Sequence, residues 1–83
     1  MKAIIKVRLK KGILDPQGKA VNNALHHLGF TSIKDVRIGK FIEMGIDETS
    51  PQKAREVAEE ASKRLLANPV IEDYEIEIIE GEK

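Results

Sequence analysis

Residues 35–47 read DVRIGKFIEMGID, and their reading decides how many strands the chain contains. Val36 and Ile38, then Ile42, Met44 and Ile46, share one parity, the spacing with which a strand sends its side chains to one face. Gly39 and Lys40 interrupt the run. Two strands joined there form a hairpin, and if both apolar sets face one core, paired residue numbers must sum to an even value. That favours an odd-length loop or a bulge over a plain two-residue turn. Gly45, within the second strand, marks a bulge or loosened pairing.

Working outward, KAIIKVRLK at 2–10 alternates Ala3, Ile5, Val7 and Leu9 with Lys2, Lys6, Arg8 and Lys10, a half-buried strand whose outer row is broken only by Ile4. After Gly12, the stretch LDPQGKAV at 14–21 begins a helix: Asp15 can accept backbone N–H groups as N-cap, and Pro16 suits the first helical position. Ala20, Val21, Ala24, Leu25 and Leu28 form its apolar stripe, and Gly29 ends it. In TSPQ at 49–52, Thr49 or Ser50 caps a second helix that opens with Pro51. Its stripe is Ala54, Val57, Ala58, Ala61 and Leu65, with Glu59–Lys63 and Glu60–Arg64 as i,i+4 pairs on the wet face. Asn68, which tolerates a left-handed conformation, and Pro69 stop it. Tyr74, Ile76 and Ile78 then alternate with Glu75 and Glu77 in a last strand.

The order β-α-β-β-α-β predicts an α+β fold, a ferredoxin-like antiparallel sheet or split βαβ arrangement with both helices on one face, in a single domain over 1–83. In that topology the first and last strands are antiparallel neighbours. Residues 2–11 carry five positive charges and no acid, whereas Glu72, Asp73, Glu75, Glu77, Glu80 and Glu82 are opposed at the other end only by Lys83. Setting Lys6 and Arg8 against Glu75 and Glu77 on the outer sheet face accounts for this segregation, at ~0.2–1 kcal/mol per pair. Ile4, Phe41 and Ile79 are the apolar exceptions on that face, and an uncovered apolar patch on a charged sheet is expected to be a self-association surface.

Composition narrows the function. A chain of 83 residues buries only about 60% of its unfolded surface. Without cysteine, oligomerisation is the remaining support for so small a scaffold. Fourteen basic and fourteen acidic residues leave no net charge, which removes the electrostatic footprint of a nucleic-acid binder. There is no uninterrupted apolar segment of signal-peptide or membrane-span type, so a soluble intracellular protein is expected. No catalytic, cofactor-binding or metal-ligating constellation stands out. His26 and His27 are adjacent on a helix and point about 100° apart, so they cannot chelate one ion as an i,i+4 pair could. Gly12 and Gly18 lack phosphate-loop spacing. Three aromatic residues are too few for an RNA-recognition sheet, and no arginine in 10–18 supports an acylphosphatase-like site. An interaction or regulatory module remains.

Three stretches, LKKGILDPQGKAVNNALHHLGF, VRIGKFIEMGID and LLANPVIEDYEIEI, together resemble the PurS family, small subunits of phosphoribosylformylglycinamidine (FGAM) synthase in purine biosynthesis. The resemblance covers nearly the whole chain. It implies a cytoplasmic, non-catalytic subunit that assembles a glutaminase, PurQ, with a synthetase, PurL, and is itself a homodimer or a dimer of dimers. The complex would use ATP, magnesium and glutamine to amidinate formylglycinamide ribonucleotide, with none of them bound by this chain. Asp15 and Gln17 of the first motif and Arg37, Gly39 and Lys40 of the second are the residues expected to meet those partners. The alternative is a free-standing ferredoxin-like domain that binds a small regulatory molecule.

Overall fold

Strand β1 (Lys2–Leu9) forms the middle of a three-stranded sheet, flanked by β2 (Lys40–Gly45) and β3 (Glu72–Ile79), in the computed structural model, which describes residues 1–80. Both neighbours run antiparallel to β1, so that Ile5 faces Ile42 on one side and Ile76 on the other. The two outer strands are therefore parallel to each other. Helix α2 (Pro51–Ala61) joins them across one sheet face, giving a split βαβ unit with β1 in its gap. Helix α1 (Pro16–His27) stands between β1 and β2 in the chain.

The alternation at the N-terminus sets the core. Ala3, Ile5 and Val7 are at most 2% exposed, and Ala54 and Ala58 of α2 are wholly buried, their small side chains letting the helix approach the sheet closely. Ile42, Met44, Ile76 and Ile78 close the sides of this cluster, each only half-buried. Ser50 caps α2, its Oγ accepting the Lys53 N–H at 3.4 Å, with Pro51 at the first position as its ring geometry favours.

The expected hairpin does not form. Residues 33–39 enter no ladder, and β2 pairs with β1 instead. The cause lies at two backbone groups. The Ile38 N–H is taken by the Asp15 carboxylate, and Gly39 passes so close to the Val7 carbonyl that a Cβ would collide with it. The sheet thus keeps the α+β, antiparallel character with three strands rather than four.

The two helices also differ from their expected roles. α2 packs on β1 and β3, whereas α1 projects from the sheet with Ala20, Val21, Ala24 and Leu28 exposed and Leu25 partly so. Placing both helices on one sheet face is therefore corrected for α1. Its flank is held by the returning chain: Asn22 Nδ2 donates to the Lys34 carbonyl at 3.4 Å, and His26 Nε2 to that of Ile33 at 2.7 Å. The molecule is accordingly long, 49 × 29 × 14 Å, with a radius of gyration of 16.2 Å where a globule of this length has about 12 Å. Gly29, at φ 100°, ends α1 as predicted.

After Ala61 the helix widens into a π turn, Ser62–Leu66. Ala54, Ala58 and Ser62 are buried at ordinary four-residue spacing, and the wider turn moves the next buried position five residues on, to Ala67, while Leu65 is 82% exposed. The helix ends at Leu66, one residue before the expected stop, with Ala67 already extended; Asn68 is not left-handed and instead holds the following turn, its Oδ1 accepting the Val70 N–H at 3.1 Å and its own N–H donating to the Glu72 carboxylate at 2.7 Å. Of the two wet-face pairs, Glu60–Arg64 forms at 3.8 Å. The β1–β3 pairing brings the charged ends together as expected, with Lys6 opposite Glu75 and Arg8 bonded to Glu75 at 3.3 Å. Glu82 and Lys83 lie outside the described residues.

Candidate interaction surfaces

Two surfaces gather the residues singled out from the sequence. The first is the outer sheet face. Phe41 lies opposite Lys6, and Ile79 opposite Lys2, so each is a diagonal neighbour of Ile4. Diagonal neighbours are roughly 7–8 Å apart, within reach of large side chains. The three expected self-association residues therefore form one oblique apolar stripe. Phe41 is 62% exposed, with Ile4 and Ile79 half-buried. Glu43 and Glu77 flank Ile4 on either side, and Arg8–Glu75 and Lys2–Glu43, the latter at 3.9 Å, border the stripe.

The second surface lies where α1, residues 36–39 and the start of β2 converge. Asp15 caps α1, one carboxylate oxygen accepting the Gly18 N–H at 2.9 Å and the other the Ile38 N–H at 2.8 Å. These bonds, the Ile38 one foremost, hold its carboxyl below the usual aspartate range, because both donors favour the charged form. Asp15 is 8% exposed, so it supports this surface from beneath. Gln17, Gly39 and Lys40 line a shallow depression above it. Arg37 joins Gly39, Lys40 and Phe41 along an adjoining one. Arg37 Nη2 donates to the Lys10 carbonyl at 3.3 Å, and Lys40 Nζ to the Leu66 carbonyl at 3.1 Å, which fixes both cations at the rim.

All five expected partner-contact residues thus meet at the base of α1. The sequence reading missed Gly18, whose position would drive a Cβ into the Val36 carbonyl. A glycine in the first turns of a helix costs roughly 1 kcal/mol against alanine, and that cost is the available signal of a close backbone crossing. It also missed the exposed stripe of α1, because periodicity reports an apolar face and not what covers it.

Chemically, these surfaces offer apolar contact, fixed cations and backbone groups. Among the described residues no group of three or more His, Asp or Glu is placed to hold a metal ion, and no helix is long and apolar enough to cross a membrane.

The family model described as PurS, phosphoribosylformylglycinamidine (FGAM) synthase, matches residues 2–80. The PurS subunit of FGAM synthase from Methanocaldococcus jannaschii is 44% identical over 77 residues, covering 93% of each chain. A solved structure of Bacillus subtilis PurS superposes with a TM-score of 0.86 at 44% identity, covering 95% of this chain and 98% of that one. A chain in the structure of PurLQS from Thermotoga maritima gives 0.84 at 31% identity, covering 94% and 95%. A match along almost the whole length, in sequence and in three-stranded fold, makes the chain a member of the PurS family of FGAM synthase subunits.

Proposed function

We propose that this chain is the non-catalytic small subunit of FGAM synthase, a single domain that brings the glutaminase PurQ and the synthetase PurL together in the cytoplasm. The observation that carries the reading is the family match over residues 2–80, which extends through both interaction surfaces. Glutamine hydrolysis in the glutaminase releases ammonia. ATP, with magnesium, activates the amide oxygen of formylglycinamide ribonucleotide in the synthetase, and ammonia displaces it. This chain's contribution is to hold the two enzymes so that ammonia passes between them.

The base of α1, with Gln17, Arg37, Gly39 and Lys40 displayed over the buried Asp15, is the partner-docking surface. The oblique stripe of Ile4, Phe41 and Ile79 serves self-association, as a dimer or between dimers. The test compares glutamine-dependent and ammonia-dependent FGAM synthesis by the synthetase and glutaminase subunits, with and without this chain. Turnover from glutamine that requires the chain, beside ammonia turnover that does not, is the expected result. If neither rate responds, the assembly role fails and the small-molecule regulatory reading takes its place.

A further inference from the structure

β3 forms one edge of the sheet, and its backbone does nothing to blunt that edge. Its register with β1 runs unbroken from Lys2 opposite Ile79 to Leu9 opposite Glu72, so no bulge turns it away, and its eight residues, EDYEIEII, include neither proline nor glycine. From Asp73 to Ile79 the backbone bonds to no element but β1 among the described residues. In an antiparallel strand paired on one side, every second residue directs its N–H and C=O outward, a template for one more strand.

The side chains say which strand fits. Asp73, Glu75 and Glu77 stand exposed along the outer row, and among the described residues Glu75 alone is in an ion pair, with Arg8 at 3.3 Å. Tyr74, Ile76 and Ile78 form a half-buried apolar inner row. On its occupied side β3 already accepts a strand of matching pattern: β1 sets Lys6 and Arg8 opposite Glu75 and Asp73, and Ile5 and Val7 opposite Ile76 and Tyr74. A second copy of β3 does not fit. A two-fold pairing of that strand with itself puts acid opposite acid in the middle of the ladder, and like charges directly opposite are destabilising.

We infer that the open edge of β3 is a second docking surface, which takes as an added strand an extended segment of one of the two enzymes, its residues alternating lysine or arginine with apolar side chains. The inference rests on the proposed assembly role and extends it. A subunit that holds two different enzymes needs a surface for each. The base of α1 displays the cations Arg37 and Lys40, whereas this edge is acidic, and the opposite signs keep the two partners from exchanging places. Main-chain bonds supply the attraction, and the alternate side chains supply the choice of segment.

Hydrogen exchange of the whole chain, alone and bound to the synthetase or to the glutaminase, tests this. Alternate amides between Asp73 and Ile79 are expected to exchange rapidly in the chain alone and at least tenfold more slowly with one enzyme and not the other. If those outward amides are already protected in the chain alone, a second copy occupies the edge and the inference falls. If both enzymes bind without slowing them, the inference falls and the assembly role stands; binding to neither enzyme ends both. A second measurement uses Glu77→Lys, since Glu77 is opposite Ile4 and the substitution removes no cross-strand ion pair. The far-ultraviolet spectrum is expected to stay unchanged while affinity for the enzyme that protects the edge falls at least tenfold and affinity for the other holds. Undiminished affinity for both would mean that the acids only guard the edge against like strands, and would overturn the basic-segment assignment.

Discussion

The Asp15 carboxylate accepts the Ile38 N–H at 2.8 Å although 23 residues separate the two in the chain. This bond closes the loop that carries α1 and turns what would be a strand into a return path. Since the Ile38 and Gly18 donors lower the folded carboxyl below its ordinary value, Asp15 contributes stability that is complete above the unfolded value of about 4 and is lost as pH falls through the folded value. Asp15→Asn has one carbonyl oxygen in place of two charged acceptors. The variant is expected to be less stable than the parent at pH 7, with the difference shrinking toward pH 3. Urea denaturation at both pH values measures this; a constant difference would show that ionisation of Asp15 is not what matters.

That same bond shows where sequence legibility ended. β1, both helix starts, the stop at Gly29 and the β1–β3 pairing followed from local patterns: alternation, capping residues and segregated charge. Val36 and Ile38 carry equally good strand alternation, but alternation does not name a partner, and a side-chain acceptor 23 residues upstream takes the Ile38 N–H that a ladder would need. Leu65 was misplaced for a different reason. A π turn adds to the residues per turn, and no local composition in SKRLL announces it. The residues proposed to meet partners came from the family motifs, whereas their convergence on one surface needed the crossing at Gly18.

The glycines separate close approach from mere permissiveness. Gly18→Ala and Gly39→Ala would each force a Cβ against a backbone carbonyl, of Val36 and Val7 respectively, and are expected to cost about 1–3 kcal/mol. A Cβ at Gly45 meets nothing within 4 Å, so Gly45→Ala is expected to be neutral or to stabilise by about 0.4–1 kcal/mol through the unfolded chain. Thermal melts of the three variants give the order directly. Equal losses at all three would contradict the crossings.

Ser62 is wholly buried at the start of the π turn, and its Oγ has no hydrogen-bond partner among the described residues. A buried hydroxyl left unbonded costs about 1–3 kcal/mol. Ser62→Ala is therefore expected to leave stability unchanged or raise the melting temperature. A loss of more than about 1 kcal/mol would mean that the hydroxyl is bonded in solution.

Among the described residues Arg8 and Glu75 form the shortest ion pair of the outer sheet face, yet their side chains are 60% and 65% exposed. Solvent screens such a pair, and its contribution is expected to lie at about 0–1 kcal/mol. A double-mutant cycle with Arg8→Gln and Glu75→Gln measures it. A coupling well above that range would place the pair inside an oligomer interface, out of water, and would extend the self-association surface to this corner of the sheet.

Arg37 and Lys40 give the most direct test of the proposed docking surface. Both are exposed, each is anchored through a backbone carbonyl, Lys10 for Arg37 and Leu66 for Lys40, and among the described residues neither forms a salt bridge with a carboxylate. Losing the Lys40 contact at the helix end should cost about 0.3–1 kcal/mol, too little to unfold the chain. Rim charges of this kind act mainly on the rate of encounter and on its salt dependence. Arg37→Ala with Lys40→Ala is thus expected to keep the parent oligomer by sedimentation, to bind the synthetase and glutaminase subunits roughly tenfold more weakly, about 1.4 kcal/mol, and to flatten the dependence of association on salt. Surface plasmon resonance across a salt series reads affinity, on-rate and slope together. Unchanged binding with an unchanged slope would remove these cations from the docking surface and leave the oblique apolar stripe as the alternative contact.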